Sequence, residues 1–490
     1  MRFVTGDLDG GNQVIRDIPL TLKAGRYFYL DQQAVDMRKV QGAALGNEEN
    51  IMLFASDSDW SIENKPEWVT LSAVNGSGNV SLDFACNSQA DIIEGRANGV
   101  VTIRDTSVEV EHSINVSCNT VPVSISLSDF GVSLTQLADA SALLSTVDIR
   151  FSGDVEGVWT ASSDQEWLSV TPTGDSTTPL EISATSDALA DNQMHYANIT
   201  VSSQLAPQAE LIRVGLYKNT SVSLSSSTWN IDFPYIFLDP IRPYAYRHEY
   251  FEGINEYDNL AAINIYTGEK AFAIDLSGKC LRAEDISPDG NKIFFTEESF
   301  CNWERQIRES TKIYSADVDE IGGVLAMLVD IPKSEYGGYI DLDLKTVINN
   351  GVPAIIIHSG LIYHAETGLK LGDFTPINSS YEGVVAAPEN GEIFYSGGFI
   401  DGYVYSLNLP SDDEPADVRL VHTVENSYDQ PSYELGQYFF HPNGSLFISP
   451  KTCIRKEVDS GWQTCALNNG TFFWDDVPGV GLISTYVINE

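Results

Sequence analysis

Two stretches of this chain carry one pattern, Asp59-Trp-Ser-Ile-Glu-Asn-Lys-Pro-Glu-Trp-Val-Thr-Leu-Ser72 and Val158-Trp-Thr-Ala-Ser-Ser-Asp-Gln-Glu-Trp-Leu-Ser-Val-Thr-Pro172. In each stretch two tryptophans lie eight residues apart, and the second pair follows the first by 99 residues. Later landmarks keep nearly this spacing, since Val80-Ser-Leu-Asp-Phe84 corresponds to Leu180-Glu-Ile-Ser-Ala184, and Ala97-Asn98 corresponds to Ala197-Asn198. The sequence therefore predicts an internal duplication with copies of about 100 residues.

In the duplicated region, short segments of alternating apolar and polar residues are separated by Gly, Asn, Asp and Ser, which predicts β-strands joined by turns. No amphipathic pattern in this region is long enough to predict a helix. A copy of about 100 residues has the size of an immunoglobulin-like sandwich. We expect a polar N-terminal lead over 1–17, a first sandwich over 18–119 and a second over 120–220. A Ser/Thr-rich linker over 221–228 is short enough to hold its neighbours close.

A shorter repeat occupies 229–490. Candidate strands recur at intervals of 50, 49, 42 and 50 residues, beginning at Ile263, Ile313, Ile362, Val404 and Ile454. Turns such as Ser287-Pro-Asp-Gly290 and His441-Pro-Asn-Gly444 each precede an apolar strand. Repeats of this length built from hairpins have the size of propeller blades. The predicted fold class is all-β, with two tandem immunoglobulin-like β-sandwiches followed by a β-propeller of about five to six blades.

The tryptophan phrases resemble the BACON domain family over about residues 18–220. That resemblance implies seven-stranded sandwiches that occur in extracellular bacterial proteins. Such domains often lie next to glycan-active domains in the same chain, and this association is the basis on which carbohydrate binding is ascribed to them. The first copy departs from the family pattern because Val69-Thr-Leu-Ser-Ala-Val-Asn-Gly76 lacks the proline. The region 229–490 resembles YVTN or WD40-like propellers in Asp239-Pro-Ile-Arg-Pro-Tyr-Ala-Tyr246 and Ile286-Ser-Pro-Asp-Gly-Asn-Lys-Ile-Phe-Phe295. This second resemblance implies an architecture and no activity.

The charge balance excludes several classes of partner. The 490 residues include 69 acidic and 28 basic side chains, for a net charge of −41. Such a chain has no excess of Lys and Arg with which to neutralise nucleic-acid phosphates or an anionic membrane surface. No apolar run approaches the ~20 residues that a membrane span needs, and the given sequence starts without a signal peptide.

Six cysteines form three local pairs, Cys86 with Cys118, Cys280 with Cys301, and Cys453 with Cys465. The last pair flanks Asp459-Ser-Gly461, a hairpin turn that would place the two sulfurs across adjacent strands. An even number of locally paired cysteines suits disulfides in an oxidising compartment. Free buried thiols are the alternative. We expect an extracellular or cell-surface location, with the periplasm as the other possibility.

No catalytic or metal site can be assigned from motifs. Asp285-Ile-Ser-Pro-Asp-Gly290 resembles the start of a calcium loop, but Thr296 stands where that loop needs a bidentate Glu, so we favour a turn over calcium. His248-Glu249 lacks the second histidine of a zinc motif. No nucleophile elbow is present, and Gly76-Ser-Gly78 reads as a turn. We expect no cofactor.

Tryptophans are the remaining candidates for ligand contact, because exposed rings stack on sugars. Trp303, Trp462 and Trp474 lie near propeller loops and are the binding candidates. The sandwich tryptophans Trp60, Trp68, Trp159 and Trp167 enter or precede alternating strands, which favours the core over a ligand platform.

The sequence therefore favours a binding protein over an enzyme. The leading hypothesis is a bacterial recognition or adhesion protein that binds a glycan or a surface protein through propeller loops, with the sandwiches as a stalk. One alternative is a propeller-based lyase or hydrolase acting on polysaccharide. Another is a structural subunit of an extracellular assembly, in which the chain contacts copies of itself.

Overall fold

The computed structural model describes residues 2–5, 14–17, 27–56, 58–93, 96–107, 109–223, 236–250, 257–279, 281–297, 310–318, 323–332, 344–357, 359–374, 384–387, 392–397, 401–409, 416–425, 439–440, 446–448, 452–457 and 461–466. These residues form 42 strands and two short 3-10 helices, which confirms the predicted all-β class. They divide into two compact units, Met1–Val123 and Ser124–Glu490.

The described residues of the first unit form eleven strands. They are β1 (Arg2–Thr5), β2 (Val14–Asp17), β3 (Phe28–Leu30), β4 (Ala34–Val40), β5 (Glu49–Ala55), β6 (Asp59–Asn64), β7 (Val69–Leu71), β8 (Asn75–Ser77), β9 (Val80–Cys86), β10 (Arg96–Asp105) and β11 (Glu111–Val121). A 3-10 helix, Ser88–Ile92, follows β9. The strands β1 and β2 pair with each other within the segment predicted as a polar lead.

Nine of these strands form a sandwich. One sheet has the order β4-β11-β10-β6-β8 and the other has the order β3-β5-β9-β7. Only the pair β4 and β11 is parallel among the described strands of these two sheets. Buried side chains from both sheets, including Val35, Leu53, Trp60 and Val101, form one core. The sandwich arises because alternate residues of each strand turn to this core.

The second sandwich opens the second unit. Its strands are β12 (Ile125–Leu127), β13 (Gly131–Leu137), β14 (Ser141–Ala142), β15 (Leu144–Val147), β16 (Ile149–Phe151), β17 (Val158–Ser163), β18 (Leu168–Val170), β19 (Thr173–Asp175), β20 (Leu180–Ala184), β21 (Gln193–Ser203) and β22 (Glu210–Asn219). A short 3-10 helix, Ser152–Asp154, follows β16.

The strand order of the first sandwich recurs in the second. One sheet has the order β14-β13-β22-β21-β17-β19, in which β13 runs parallel to β22 as β4 does to β11. The opposite layer consists of β12-β16 and β15-β20-β18. The residue between β15 and β16 is Asp148, so two short strands stand where the first sandwich has the continuous β5.

The described residues of the propeller region form five four-stranded antiparallel sheets in chain order. Blade 1 contains β23 (Ile236–Leu238), β24 (Tyr244–Tyr250), β25 (Tyr257–Asn264) and β26 (Lys270–Asp275); blade 2 contains β27 (Leu281–Ile286), β28 (Lys292–Glu297), β29 (Ser310–Asp317) and β30 (Ala326–Pro332); blade 3 contains β31 (Leu344–Asn349), β32 (Val352–Ile357), β33 (Leu361–His364) and β34 (Lys370–Asp373); blade 4 contains β35 (Val384–Ala387), β36 (Glu392–Gly397), β37 (Asp401–Asn408) and β38 (Asp417–Glu425); blade 5 contains β39 (Phe439–Phe440), β40 (Leu446–Ile448), β41 (Thr452–Glu457) and β42 (Gly461–Ala466).

The period read from the sequence locates one strand of each blade. The predicted strand starts fall in β25, β29, β33, β37 and β41, and each of these is the third strand of its sheet. The apolar strands predicted after the proline turns are second strands, for example β28 after Ser287-Pro-Asp-Gly290. Adjacent blades bury shared cores, one between blades 1 and 2 around Leu260 and Phe295, and one between blades 2 and 3 around Phe294 and Ile355.

The segment from Asp239 to Tyr246 joins the second sandwich to the propeller. The guanidinium of Arg242 donates to Asp239 Oδ2 at 2.9 Å, to the Gly290 carbonyl at 2.8 Å and to the Tyr196 hydroxyl of β21 at 3.1 Å. The Tyr246 hydroxyl donates to the same Asp239 oxygen at 2.7 Å. A buried polar network therefore spans the second sandwich and the first two blades.

Candidate functional site

An exposed group of aromatic rings lies on the outer side of the first sandwich. Tyr29 of β3 stands directly opposite Phe54 of β5, and their rings stack at 4.8 Å between centroids and 14° between planes. Tyr27 lies 6.0 Å from the Tyr29 ring. Tyr27 and Tyr29 are 44% and 48% exposed. We call Tyr27, Tyr29 and Phe54 the aromatic face.

Strand alternation explains why these rings face outward. Leu53 and Ala55 are buried in the sandwich core, and Phe28 and Leu30 pack against it. Successive side chains of a strand point to opposite sides of the sheet, so the residues between these core positions must face solvent. The Tyr29 and Phe54 rings, stacked on each other, therefore lie on the solvent side of the sheet, where Tyr29 is exposed and Phe54 is half-buried.

Polar groups continue the same outer surface along β5 and β9. The Asn50 side-chain amide donates to Ser81 Oγ and, at 2.7 Å, to Asp83 Oδ1. Asn50 and Phe54 point to the same side of β5, about 13 Å apart along an extended strand. Among the described residues, Asn50 Oδ1 and Asp83 Oδ2 accept no hydrogen bond. The surface thus combines apolar ring area with acceptors suited to hydroxyl donors.

The second sandwich lacks this aromatic surface at the equivalent positions. There Ser126 of β12 pairs with Arg150 of β16, in the places that Tyr29 and Phe54 occupy in the first copy. Neighbouring outward positions on β20 carry Glu181 and Ser183. The two copies share a strand order and differ in surface chemistry, so the candidate site belongs to the first sandwich.

The structure places three sandwich tryptophans in the core, as the alternating pattern favoured. Trp60, Trp68 and Trp159 are at most 6% exposed, and Trp167 is half-buried. Trp159 Nε1 donates to the Asp175 carbonyl at 2.9 Å. Their burial leaves no ring face free for a ligand on these three residues.

Of the propeller binding candidates, Trp462 lies in β42 opposite Lys456. Trp303 and Trp474 lie outside the described residues. Their assignment to ligand contact stays a prediction. The aromatic face is not among the residues predicted from the sequence, although the alternation Tyr27-Phe28-Tyr29 already places two tyrosines on one side of a strand.

One predicted disulfide is present. Cys86 of β9 and Cys118 of β11 are bonded within the first core, with 6.3 Å between their Cα atoms. Cys453 and Cys465 stand opposite each other in the pairing of β41 with β42, which is the register that the hairpin turn predicted. The predicted pair of Cys280 and Cys301 lies outside the described residues.

The segment Asp285–Gly290 of blade 2 contains the end of β27 followed by a turn over Ser287–Gly290. Asp285 belongs to β27, where its Oδ2 accepts from the backbone N–H and the hydroxyl of Thr346 in blade 3 at 2.8 and 2.9 Å. Asp289 Oδ1 accepts from Ser287 Oγ at 2.6 Å within the turn. The two carboxylates therefore serve separate structural contacts.

His248 is likewise structural. It is buried, and its Nε2 accepts the Ala283 N–H of blade 2 at 2.9 Å. Burial lowers the pKa of His248 to about 4, so the ring is neutral at ordinary pH and can accept that bond. In the described part of the chain, no group of three or more His, Cys, Asp or Glu side chains is placed to hold a metal ion.

The structure corrects the prediction for Gly76-Ser-Gly78 in the first sandwich. Gly76-Ser-Gly78 was expected to be a loop, but Asn75–Ser77 forms the edge strand β8, and only Gly78 adopts a left-handed backbone at φ 69°. Gly76 faces the ring of Trp60, where a Cβ would lie 2.6 Å from Cζ2. A glycine is needed there for ring packing.

A cavity of about 370 Å³ lies between blades 2 and 3. Its lining includes the charged residues Asp289, Lys292, Asp317 and Glu366 and the apolar residue Phe294. Lys292 and Asp317 neutralise each other at 2.7 Å, and Asp289 is engaged in its own turn. These contacts engage three of the four charged side chains named in the cavity lining.

Comparison with known proteins identifies part of the second sandwich. A family model described as "Viral BACON domain" matches residues 132–215. No curated protein matches the chain. No helix among the described residues is long and apolar enough to cross a membrane.

Three solved structures resemble parts of the chain. A Bacteroides ovatus GH5 xyloglucanase in complex with a XXXG heptasaccharide is 15% identical over 20% of this chain and 19% of its own, with a TM-score of 0.17. A Porphyromonas gingivalis W83 protein of unknown function is 15% identical over 39% and 97%, with a TM-score of 0.16. The Cps50 (Swd1) β-propeller domain of Myceliophteria thermophila is 10% identical over 50% and 89%, with a TM-score of 0.32. The sandwich-and-propeller fold of this chain rests on its own strand order.

Proposed function

We propose that this chain is an extracellular recognition protein whose first sandwich binds a neutral carbohydrate on the aromatic face. The stack of the exposed Tyr29 ring on Phe54, with the polar pair Asn50 and Asp83 about 13 Å further along the same side of the sheet, is the observation that carries the proposal. Sugar rings present C–H groups on their faces and hydroxyls at their edges. An aromatic platform flanked by hydrogen-bond acceptors complements both features.

Solvent exposure of these rings supports a binding role. An aromatic ring that stays in water does not contribute the free energy of folding that its burial would give, which is roughly 25 cal/mol per Å² of apolar surface. Contiguous exposed apolar surface on a soluble protein commonly marks an interaction site. The net charge of −41 disfavours acidic polysaccharides and therefore favours an uncharged glycan.

The proposed location draws on the disulfide between Cys86 and Cys118. Structural disulfides persist in oxidising compartments and are rare where cellular thiols keep proteins reduced. The BACON match over residues 132–215 supports the same location, because the family resemblance implies extracellular proteins.

Recognition by propeller loops remains a second part of the proposal, with Trp303, Trp462 and Trp474 as contacts and the sandwiches as their stalk. The polar network around Arg242 favours the stalk role of the second sandwich, since it ties that sandwich to blades 1 and 2. Each region would then contribute its own surface.

The test is a screen of uncharged glycans against the intact protein, followed by calorimetry with single variants. Tyr29→Ala and Phe54→Ala should each weaken binding about tenfold, because each removes a stacking surface worth roughly 1–2 kcal/mol. Tyr29→Phe should retain most of the affinity. Ile92→Ala, which trims another exposed apolar side chain of the same sandwich, is the matched control.

The outcomes separate the two surfaces. The propeller would be the binding surface if both alanine variants kept their affinity and if substitution of Trp303, Trp462 and Trp474 abolished binding. Failure of every uncharged glycan to bind would reject the carbohydrate proposal for both.

A further inference from the structure

A tight turn of blade 3 makes a second contact with the second sandwich. Asn350 and Gly351 connect β31 to β32, with left-handed φ angles of 53° and 74°. Ser124 Oγ of the second sandwich donates to Asn350 Oδ1 at 2.6 Å. Asn350 Nδ2 donates to the Leu409 carbonyl of blade 4 at 2.8 Å. This turn therefore connects the sandwich with two blades.

The carboxyl group of Glu210 packs against this turn. Glu210 is the first residue of β22 and is only 4% exposed. A Cβ added to Gly351 would lie 3.0 Å from Glu210 Oε1 and 3.4 Å from Gln208 Oε1. Among the described residues, the Glu210 carboxyl group has no hydrogen-bond or ion-pair partner. Glu210 is thus buried at a contact surface without a group that would compensate a negative charge.

The elements packed around Glu210 present no described ionisable group to it. The adjacent strand β21 places Val201 opposite Glu210, the turn contributes Asn350 and Gly351, and the preceding loop contributes Gln208. The next charged residue on β22 is Arg213, whose guanidinium donates to Asn291 of blade 2. Burial alone accordingly raises the pKa of Glu210 to about 7.

We propose that Glu210 makes the contact between the second sandwich and blade 3 proton-dependent. The neutral carboxylic acid fits the buried contact against Gly351. Once ionised, the carboxylate needs more water than this contact admits, and it gains that water when the turn separates from the sandwich. Acidification therefore tightens this contact and neutral or alkaline conditions loosen it.

The direction follows from proton binding. A carboxyl group freed from the contact titrates near its ordinary value of 4.5, whereas the docked group holds its proton to about pH 7. The contribution of Glu210 to docking is complete below about pH 4.5 and declines as pH rises to about 7. The docking equilibrium should fall about tenfold per pH unit across that interval.

Hydrogen exchange of the intact protein between pH 5 and pH 8, corrected for the intrinsic exchange rates, tests the proposal. Protection of amides in Val352–Ile357 should fall about fortyfold from pH 5 to pH 7 and then level off. Glu210→Gln imitates the neutral acid and should keep high protection at every pH. Glu181→Gln, which neutralises an exposed carboxylate on the same sandwich, should follow the unchanged protein.

Two results would overturn the proposal. The first is pH-independent protection of the turn in the unchanged protein, which needs no variant and therefore holds even if Glu210→Gln misfolds. The second is an equal pH response in Glu210→Gln and the unchanged protein. Neither result bears on carbohydrate binding by the first sandwich.

Discussion

At the scale of single residues, the repeated tryptophan is paired with a repeated glycine. Trp60 stands opposite Gly76 on β8, and Trp159 stands opposite Gly174 on β19. A Cβ at Gly174 would lie 2.3 Å from Trp159 Cζ2. The glycine lets the indole ring lie flat across the edge strand, so the two residue types form one packing unit in each sandwich.

Substitution of this glycine should be costly. We expect Gly174→Ala to lower the free energy of unfolding by about 2 kcal/mol, because either the ring or the edge strand must move. Ser169→Ala, at an exposed position of β18, should change it by less than about 0.5 kcal/mol. Chemical denaturation of the intact protein measures both. Equal midpoints for the two variants would show that the ring tolerates a methyl group.

At the scale of elements, a buried ion pair fixes the 3-10 helix of the first sandwich. Lys39 of β4 is 1% exposed, and its Nζ lies 2.8 Å from both carboxylate oxygens of Asp91 in the helix. Asp91 Oδ2 also accepts the Gly42 N–H at 3.2 Å. The helix is thereby held to the edge strand β4.

Breaking this pair should destabilise the first sandwich. Lys39→Met leaves the Asp91 carboxylate without its cation and should cost about 2–4 kcal/mol, since a buried charge then lacks compensation. Arg96→Met removes an exposed pair with Asp36 and should cost less than about 1 kcal/mol. Urea denaturation compares them. A Lys39→Met variant as stable as Arg96→Met would mean that water solvates Asp91 fully.

Local sequence patterns predicted elements better than they predicted contacts between elements. The recurring positions at Ile263 and Ile313 identified third strands of blades because a period of about 50 residues is visible in the sequence. The stack of Tyr29 on Phe54 was not predictable, because it depends on how β3 pairs with β5. The alternation of residues along one strand predicts which side of the sheet a side chain faces, but it does not predict which residue of the neighbouring strand lies opposite. Likewise Lys39, in an otherwise apolar alternation, gave no indication that Asp91 would reach it.

At the scale of the whole second unit, one motif explains how sandwich and propeller are joined. The segment from Asp239 to Tyr246, whose sequence resembles propeller proteins, contacts both regions in the structure. Ile241 packs against Gly131 and Gly215 of the sandwich, where a Cβ at Gly215 would lie 2.1 Å from the Ile241 carbonyl oxygen. The two glycines make room for this segment.

Arg242 should determine whether the second sandwich and the propeller unfold together. Its guanidinium and the Asp239 carboxylate are both at most 2% exposed and lie 2.9 Å apart. Arg242→Met leaves Asp239 buried with only the Tyr246 hydroxyl and neighbouring N–H donors, which should cost about 3–5 kcal/mol. Since that loss falls at the joint, calorimetry should resolve separate transitions for the second sandwich and the propeller, which we expect to unfold in a single transition in the unchanged protein. Lys370→Met breaks an exposed pair of the same three-residue spacing with Asp373 and should leave a single transition. A single, merely shifted transition in Arg242→Met would show that the remaining contacts, including the turn at Asn350, suffice to couple the two regions.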